Sequence, residues 1–337
     1  MRRRVTVFGG SGFVGRHLVR RLARAGDEIR IAVRDPEAAL YLKTAGDVGQ
    51  IAPFQTDIRD PAQIANAVAD ADTVINLVGI LYPGGGQNFE KIHVDGAAAI
   101  AAAAKAAGTK RLLHMSALGA DADSPSEYGR SKAAGEAAVL EAFPQATVFR
   151  PSVIFGPEDG FFNKFAGLMR FLPVLPVIGA PMIPKFNFGG EGLVEIDFYG
   201  DGGPKFQPVY VGDVAEAMMR ALDDTDSQGR TYELGGPSVY SFKQLMELLL
   251  AVTERKRRLV PLPMVFAEME SWFLQFLPKP LITPDQVKLM ERDNVVSGGA
   301  PGLGELGVAA TAAEAILPTY LRRFRAPRQQ GDTATAR

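Results

Sequence analysis

The sequence predicts an α/β fold of the Rossmann type, a doubly wound parallel sheet carrying a smaller C-terminal α/β lobe. Three observations support this. From Arg4 to Arg150, short β-branched and apolar runs alternate with alanine-rich helical segments, the order that forces parallel strands joined by helical crossovers. The first run leads straight into the glycine-rich turn Gly9-Gly10-Ser11-Gly12-Phe13-Val14-Gly15. Beyond Pro151 the alternation fades, and proline and glycine gather between Leu172 and Gly203, as loops and short irregular strands require.

Taken in order, strands are expected at Val5–Phe8, Ile29–Val33, Gln50–Phe54, Thr73–Val78, Arg111–Met115 and Ala146–Phe149. Each is a short apolar run bounded by polar or turn residues. Helices are expected at Phe13–Ala25, Asn88–Ala107 and Tyr128–Ala142, where apolar residues recur at helical spacing. A further helix begins near Asp213, and Thr231–Leu234 reads as one returning strand. This gives a dinucleotide-binding core of residues 1–157 with returning segments at 206–236. Residues 158–205 and 237–325 form a smaller lobe for a substrate or partner, and the polar 326–337 a flexible tail.

Composition narrows the function classes. The 337 residues are 47% hydrophobic and 22% charged, and 37 Lys and Arg balance 38 Asp and Glu. That balance argues against a partner held through phosphate contacts along a nucleic acid. The absence of cysteine excludes disulfides and thiolate chemistry, and the three histidines, His17, His93 and His114, are too scattered for a metal cluster. Arg2, Arg3 and Arg4 run directly into a strand rather than into an apolar signal region, and the longest apolar stretch, Phe171–Pro184, is broken by Pro173, Pro176 and Pro181. A cytoplasmic protein is the expectation.

The glycine turn sits at the first strand-to-helix junction, the context in which such a motif holds a dinucleotide. Glycines allow the tight turn and a close backbone approach, and the free N–H groups at the helix start receive a pyrophosphate. At the end of the second strand Arg34 and Asp35 compete for the adenosine ribose. Asp35 precedes Pro36 and Glu37, which suits it to cap the next helical turn. Arg34 is thereby left for a 2′-phosphate, and NADP(H) is favoured over NAD(H). Asp57 and Ile58 after the third strand, and Leu77, Val78 and Gly79 at the end of the fourth, lie on the carboxyl edge where the rest of such a cofactor rests.

Tyr128-Gly129-Arg130-Ser131-Lys132 places a phenol and an ammonium on one helix face. A cation there is expected to favour phenolate and lower the tyrosine pKa, making a proton donor or acceptor. Ser116, just past the fifth strand, adds a hydroxyl for a substrate oxygen. Without the strand order around it, the same spacing describes any amphipathic helix.

Together, Gly9-x-x-Gly12-Phe13-x-Gly15, Asp57, Ser116 and Tyr128-x-x-x-Lys132 resemble the short-chain dehydrogenase/reductase superfamily in its extended or atypical branch. Arg150-Pro151-Ser152-Val153-Ile154-Phe155-Gly156-Pro157 continues the likeness and adds Pro151 to the cofactor-binding set. The segments Phe206–Ala215, Tyr232–Pro237 and Pro301–Val308 resemble the Rossmann-type accessory subunit of respiratory complex I and its bacterial relatives. That resemblance implies NADPH binding with no established turnover, and a place near quinone metabolism. It leaves open an active NADPH-dependent reductase of a hydrophobic or quinone-related substrate, and a nucleotide-sugar epimerase or dehydratase. Active members of the superfamily often carry an asparagine where this chain has His93, a departure that weakens the proton relay and suits a structural histidine. Met182–Gly203 reads as an insertion able to cover or reshape a cleft.

One further stripe, Val265, Phe266, Met269, Trp272, Phe273, Phe276 and Leu277, recurs at helical spacing after the basic run Arg255-Lys256-Arg257-Arg258. A stripe of this kind ordinarily packs its own lobe, and Glu268 and Glu270 oppose lipid contact. With basic residues beside it, the alternative is peripheral association with the inner face of a membrane or with a membrane complex.

Overall fold

A computed structural model describes residues 2–188, 194–277 and 280–326. Its centre is a seven-stranded sheet, built from β1 (Arg4–Phe8), β2 (Glu28–Val33), β3 (Ile51–Gln55), β4 (Thr73–Asn76), β5 (Arg111–Met115), β6 (Thr147–Pro151) and a strand that returns from later in the chain. Neighbouring strands are parallel in the order β3-β2-β1-β4-β5-β6. The connections α1 (Phe13–Arg24), α2 (Pro61–Val68), α3 (Gly96–Ala106) and α4 (Glu127–Ala142) cross over the sheet.

The alternation of side chains along a strand explains the layers. Val5 and Val7 of β1, with Ile29 and Ile31 of β2, face a core completed by Leu18, Val19 and Leu22 of α1. Phe8, Ala32, Val74 and Leu112 face the opposite core, built by Ile64, Ala97, Ile100, Ala104 and Val139. Strands buried on both faces read as unbroken apolar runs, which is why the sheet was visible in the sequence.

After β6 the chain leaves the sheet through β7 (Ile154–Phe155), α5 (Phe162–Leu168), β8 (Val174–Ile178), β9 (Lys185–Phe188), β10 (Val194–Asp197), β11 (Lys205–Phe206) and β12 (Val209–Tyr210). Helix α6 (Val211–Asp223) packs against α1, and β13 (Thr231–Leu234) then pairs in parallel with β6 as the edge strand of the main sheet. The remainder is β14 (Tyr240–Ser241), α7 (Phe242–Thr253), β15 (Arg258–Leu262), α8 (Met264–Leu274), α9 (Pro284–Leu289) and α10 (Ala313–Leu321). A separate core holds it together, with Phe162, Leu175, Val177, Phe242, Leu245, Leu249 and Leu317 at its centre.

Three expectations change, and the insertion gains a definite form. The fourth strand stops at Asn76 rather than Val78, because the Asn76 side chain accepts the Val78 N–H at 3.0 Å and turns the backbone. The helix expected over 88–107 begins as a π-helical turn at Glu90–Asp95 before becoming α3. The insertion at 182–203 forms the antiparallel pair β9 and β10, and its return contacts the small lobe, Tyr199 donating to the Leu259 carbonyl at 2.8 Å. Lastly, the stripe on α8 does not pack its own lobe. Ala267 and Ser271 are the buried residues of α8, whereas Trp272, Phe273 and Phe276 are 60%, 71% and 73% exposed. The expected tail, apart from Ala326, lies outside the described residues.

Candidate functional site

The sheet order reverses between β1 and β4, so their carboxyl ends flank a crevice, the place where open α/β sheets receive ligands. Gly9 turns out of β1 with φ +76°, a left-handed conformation that glycine adopts freely. A Cβ there would lie 3.2 Å from the Leu77 carbonyl carbon, so the loop presses against the residues after β4. The Gly12 N–H closes the turn on the Gly9 carbonyl at 3.0 Å. A Cβ on Gly12 would crowd that carbonyl oxygen at 3.1 Å and meet no other heavy atom within 4 Å among the described residues. One on Gly15 would sit 2.6 Å from the Gly10 backbone. Gly15 therefore lets α1 approach the loop, and Gly12 keeps the crevice side of the α1 N-terminus clear. Phe13 and Val14 open the helix, Val14 packing on the main core. The Ser11 carbonyl accepts from Tyr41 Oη at 3.0 Å and from Arg16 Nη2 at 3.3 Å, fixing the loop's outer edge.

At the end of β2, Asp35 accepts the N–H groups of Glu37 and Ala38 at 3.0 and 3.2 Å. It is committed to capping, as expected. Arg34 is exposed and makes no ion pair among the described residues. Asp57 lies close enough to feel its charge. The Asp57 carboxyl is held down at about 2, mainly by hydrogen bonds from the Arg59 side chain. Ile58 packs on α3 at Gly96, where a Cβ would lie 2.7 Å from its Cδ1. Gly79 faces His93, whose Nε2 would be 3.5 Å from a Cβ there.

Helix α4 brings Tyr128 and Lys132 to the carboxyl end of β5. Lys132 is buried, and its Nζ donates to the Met115 carbonyl at 2.7 Å, one residue before Ser116. Burial lowers the Lys132 pKa to about 8 and pushes the Tyr128 phenol up to about 12. The shift runs opposite to the depression expected from a neighbouring cation, because burial strips water from around the phenol. Ser116 Oγ is buried without a hydrogen-bond partner among the described residues, an arrangement that suits a hydroxyl awaiting a ligand oxygen. Pro151 closes this region from β6, its carbonyl accepting the Leu118 N–H at 3.0 Å.

His93 behaves as a structural residue. Its Nε2 accepts the Ile80 N–H at 3.0 Å, so Nδ1 carries the proton and donates to Ser131 Oγ at 2.9 Å, which in turn donates to the Tyr128 carbonyl. Burial above all, then the Lys132 charge, lowers the imidazole pKa to about 3 and keeps it neutral. The ring stacks on Phe89 with centroids 5.4 Å apart and meets Tyr128 edge-on at 5.5 Å. Gly135 makes this approach possible, since a Cβ on it would collide with the His93 backbone.

Asp285, on α9, gave no functional signal in the sequence. Its carboxylate accepts from Ser126 Oγ at 2.8 Å and from the N–H groups of Glu127 and Tyr128 at 2.6 and 3.0 Å. The small lobe thereby caps the helix that carries Tyr128 and Lys132. The Thr283-Pro284 pair announces the start of α9, but nothing local announces a partner more than 150 residues away.

A family model described as the NAD dependent epimerase/dehydratase family matches residues 5–235. The mitochondrial NADH dehydrogenase (ubiquinone) 1 alpha subcomplex subunit 9 of Arabidopsis thaliana is 35% identical over 332 residues, covering 95% of this chain and 77% of that protein. A ceramide reductase of Caulobacter vibrioides is 37% identical over 175 residues, 52% of this chain and 53% of the reductase. The solved UDP-glucose 4-epimerase of Thermus thermophilus in complex with NAD superposes with a TM-score of 0.66 at 19% identity, covering 95% of this chain and 98% of the epimerase.

Proposed function

The chain belongs to the NAD dependent epimerase/dehydratase family, and from that premise we propose that it binds NADP(H) in preference to NAD(H) and serves as an accessory protein beside respiratory or quinone-linked machinery. The observation that carries the nucleotide reading is the glycine cradle at the reversal of the sheet, where Gly12 leaves room that a side chain would fill. The pyrophosphate would rest on the N-terminus of α1. Arg34, exposed and without an ion pair among the described residues while Asp35 is committed to a cap, would take the 2′-phosphate. Tyr128 and Lys132 would hold the nicotinamide ribose, with Leu77, Val78, Gly79 and Pro151 lining the far end of the crevice. The accessory role rests on the likeness to the alpha subcomplex subunit across 95% of the chain. We place it in the cytoplasmic compartment.

A second reading, an NADPH-dependent reductase of a hydrophobic substrate, is favoured by the unpartnered Ser116 hydroxyl beside Tyr128 and Lys132 and by the likeness to a ceramide reductase. A bound nicotinamide would supply the hydride. Ser116 would orient the substrate oxygen and Tyr128 pass it a proton. A nucleotide-sugar epimerase or dehydratase is supported by fold alone.

Calorimetric titration tests the cofactor assignment. Arg34→Ala should weaken NADPH binding about ten- to a hundredfold, the value of a charge-assisted contact, and leave NADH unchanged. Equal wild-type affinities for the two nucleotides would refute it. Tyr128→Phe separates the two readings, since it should leave nucleotide affinity intact. A host strain carrying it should match wild type if the protein is accessory, and fail like a Gly12→Val strain if it is a reductase.

A further inference from the structure

The small lobe carries an exposed apolar surface that the nucleotide site does not use. At 100° per residue, Val265, Phe266, Met269, Trp272 and Phe273 of α8 fall within an arc of about 120°. All five are exposed, and the buried Ala267 and Ser271 lie opposite them. Glu268 and Glu270 fall on the two borders of this arc rather than inside it. Trp272 meets Phe276 edge-on, centroids 6.0 Å apart, on the solvent side. The strand before this helix continues the surface, because Val260 of β15 and Val174 of β8 are exposed on the two-stranded ribbon that precedes α8.

At the far end of that ribbon lies a cluster of positive charge. Arg258 pairs in register with Val174, and Arg257 Nε donates to the Met169 carbonyl at 3.1 Å. Arg170 follows Met169, and the exposed Phe171 and Leu172 follow it. Arg255 feels the charges of both Arg257 and Arg170. Lys256 and Arg258 are exposed and make no ion pair among the described residues. The one nearby acid on this run, Glu254, is taken by Arg325 at 2.9 Å. A strand of five residues spans about 17 Å, so one flat surface can touch the basic end and the apolar helix together.

We propose that this face docks on an anionic bilayer surface, with α8 lying in the interface, Trp272 and Phe273 entering the headgroup boundary, and Arg170, Lys256 and Arg258 facing lipid phosphates. Charge complementarity selects lipid. An apolar arc bordered by a single-signed basic cluster matches a surface that is anionic outside and apolar beneath, whereas a second copy would set the same positive cluster against itself. The inference is independent of the nucleotide reading.

Trp272 is the only tryptophan in the chain, so its emission reports docking directly. The full chain is sedimented with protein-free vesicles of equimolar phosphatidylcholine and phosphatidylglycerol, and with phosphatidylcholine alone, at low salt and at about 0.5 M salt. The expected result is pelleting and a blue shift of Trp272 with anionic vesicles at low salt only. Lys256→Gln with Arg258→Gln should weaken partitioning about thirtyfold. Phe266→Glu with Phe273→Glu should abolish it while thermal midpoint and NADPH affinity stay at wild-type values. The proposal is overturned if wild type stays in the supernatant with unshifted emission, or if the double glutamate variant binds as wild type does. It is equally overturned if wild type is a dimer without vesicles and that variant a monomer, which gives the face to a second copy. Binding to native membranes but not to protein-free anionic vesicles would give it to a membrane protein instead.

Discussion

Replacing Lys132 with methionine should stabilise this protein at neutral pH, an effect that reports directly on the strain held at the site. Lys132 is 5% exposed, and its ammonium is bonded to one carbonyl, that of Met115. Burial lowers its pKa from 10.5 to about 8, with Glu136 acting weakly in the opposite sense. Below about pH 8 both folded and unfolded chains hold the proton, and the folded state bears the whole cost of burying the charge. Between about pH 8 and 10.5 only the unfolded chain holds it, so stability rises with pH across that window. A displacement of this size corresponds to about 3 kcal/mol. Methionine keeps the length of the stem and loses the Met115 bond, worth about 1 kcal/mol. The variant should gain about 2 kcal/mol at pH 7, which for a chain of this length is about 3 °C in the unfolding midpoint. That gain should shrink to nothing or reverse near pH 10.5. Circular dichroism melts of both proteins at pH 7 and pH 10 measure it. A difference that is the same at both pH values, or a variant clearly less stable at pH 7, would refute the reasoning. Dinucleotide affinity should fall in the same variant, so that stability and binding move in opposite directions, as expected where a site is held at the expense of the fold.

Two further perturbations follow from the geometry. Gly15→Ala drives a methyl to within 2.6 Å of the Gly10 backbone, where no flexible side chain can yield. It should cost about 2–3 kcal/mol in stability and at least tenfold in dinucleotide affinity, by melting and calorimetry. Asp285→Ala removes the acceptor of three hydrogen bonds at the start of α4. A lost cap and its charge near the helix N-terminus are worth about 2 kcal/mol. A midpoint about 3 °C lower is expected, with Asp285→Asn in between, and an unchanged midpoint would remove Asp285 from this role.

The nucleotide half of the fold was legible because its strands are buried on both sides and its helices on one, so period and apolar content agree over Val5–Val33 and Arg111–Phe149. The glycine turn was legible because backbone crowding at Gly9 and Gly15 admits no other residue. The small lobe was not, since β8 pairs with β15 and β7 with β12 across some 55 to 85 intervening residues, and no local pattern encodes such partners. Asp285 escaped for the same reason. The stripe on α8 stayed open between core and surface because an apolar arc has the same spacing whether it meets core or solvent. The direction of the Tyr128 shift was not legible because sequence spacing gives the distance to a cation but not the amount of water removed around the phenol.

The edge strand β13 has a consequence for biosynthesis. Its four residues complete the sheet beside β6 only after the excursion through the small lobe, and Glu233 is itself held by Ser297 and Pro301. A ribosome that has released residues 1–157 has therefore exposed a β6 edge with nothing to cover it. About eighty more residues must emerge before β13 can dock, some 4–16 s at ordinary elongation rates. During that interval the unpaired edge is a template for pairing with another chain. Fragments ending near residue 157 should accumulate as aggregates, and those extended through residue 301 should be the first to stay in solution.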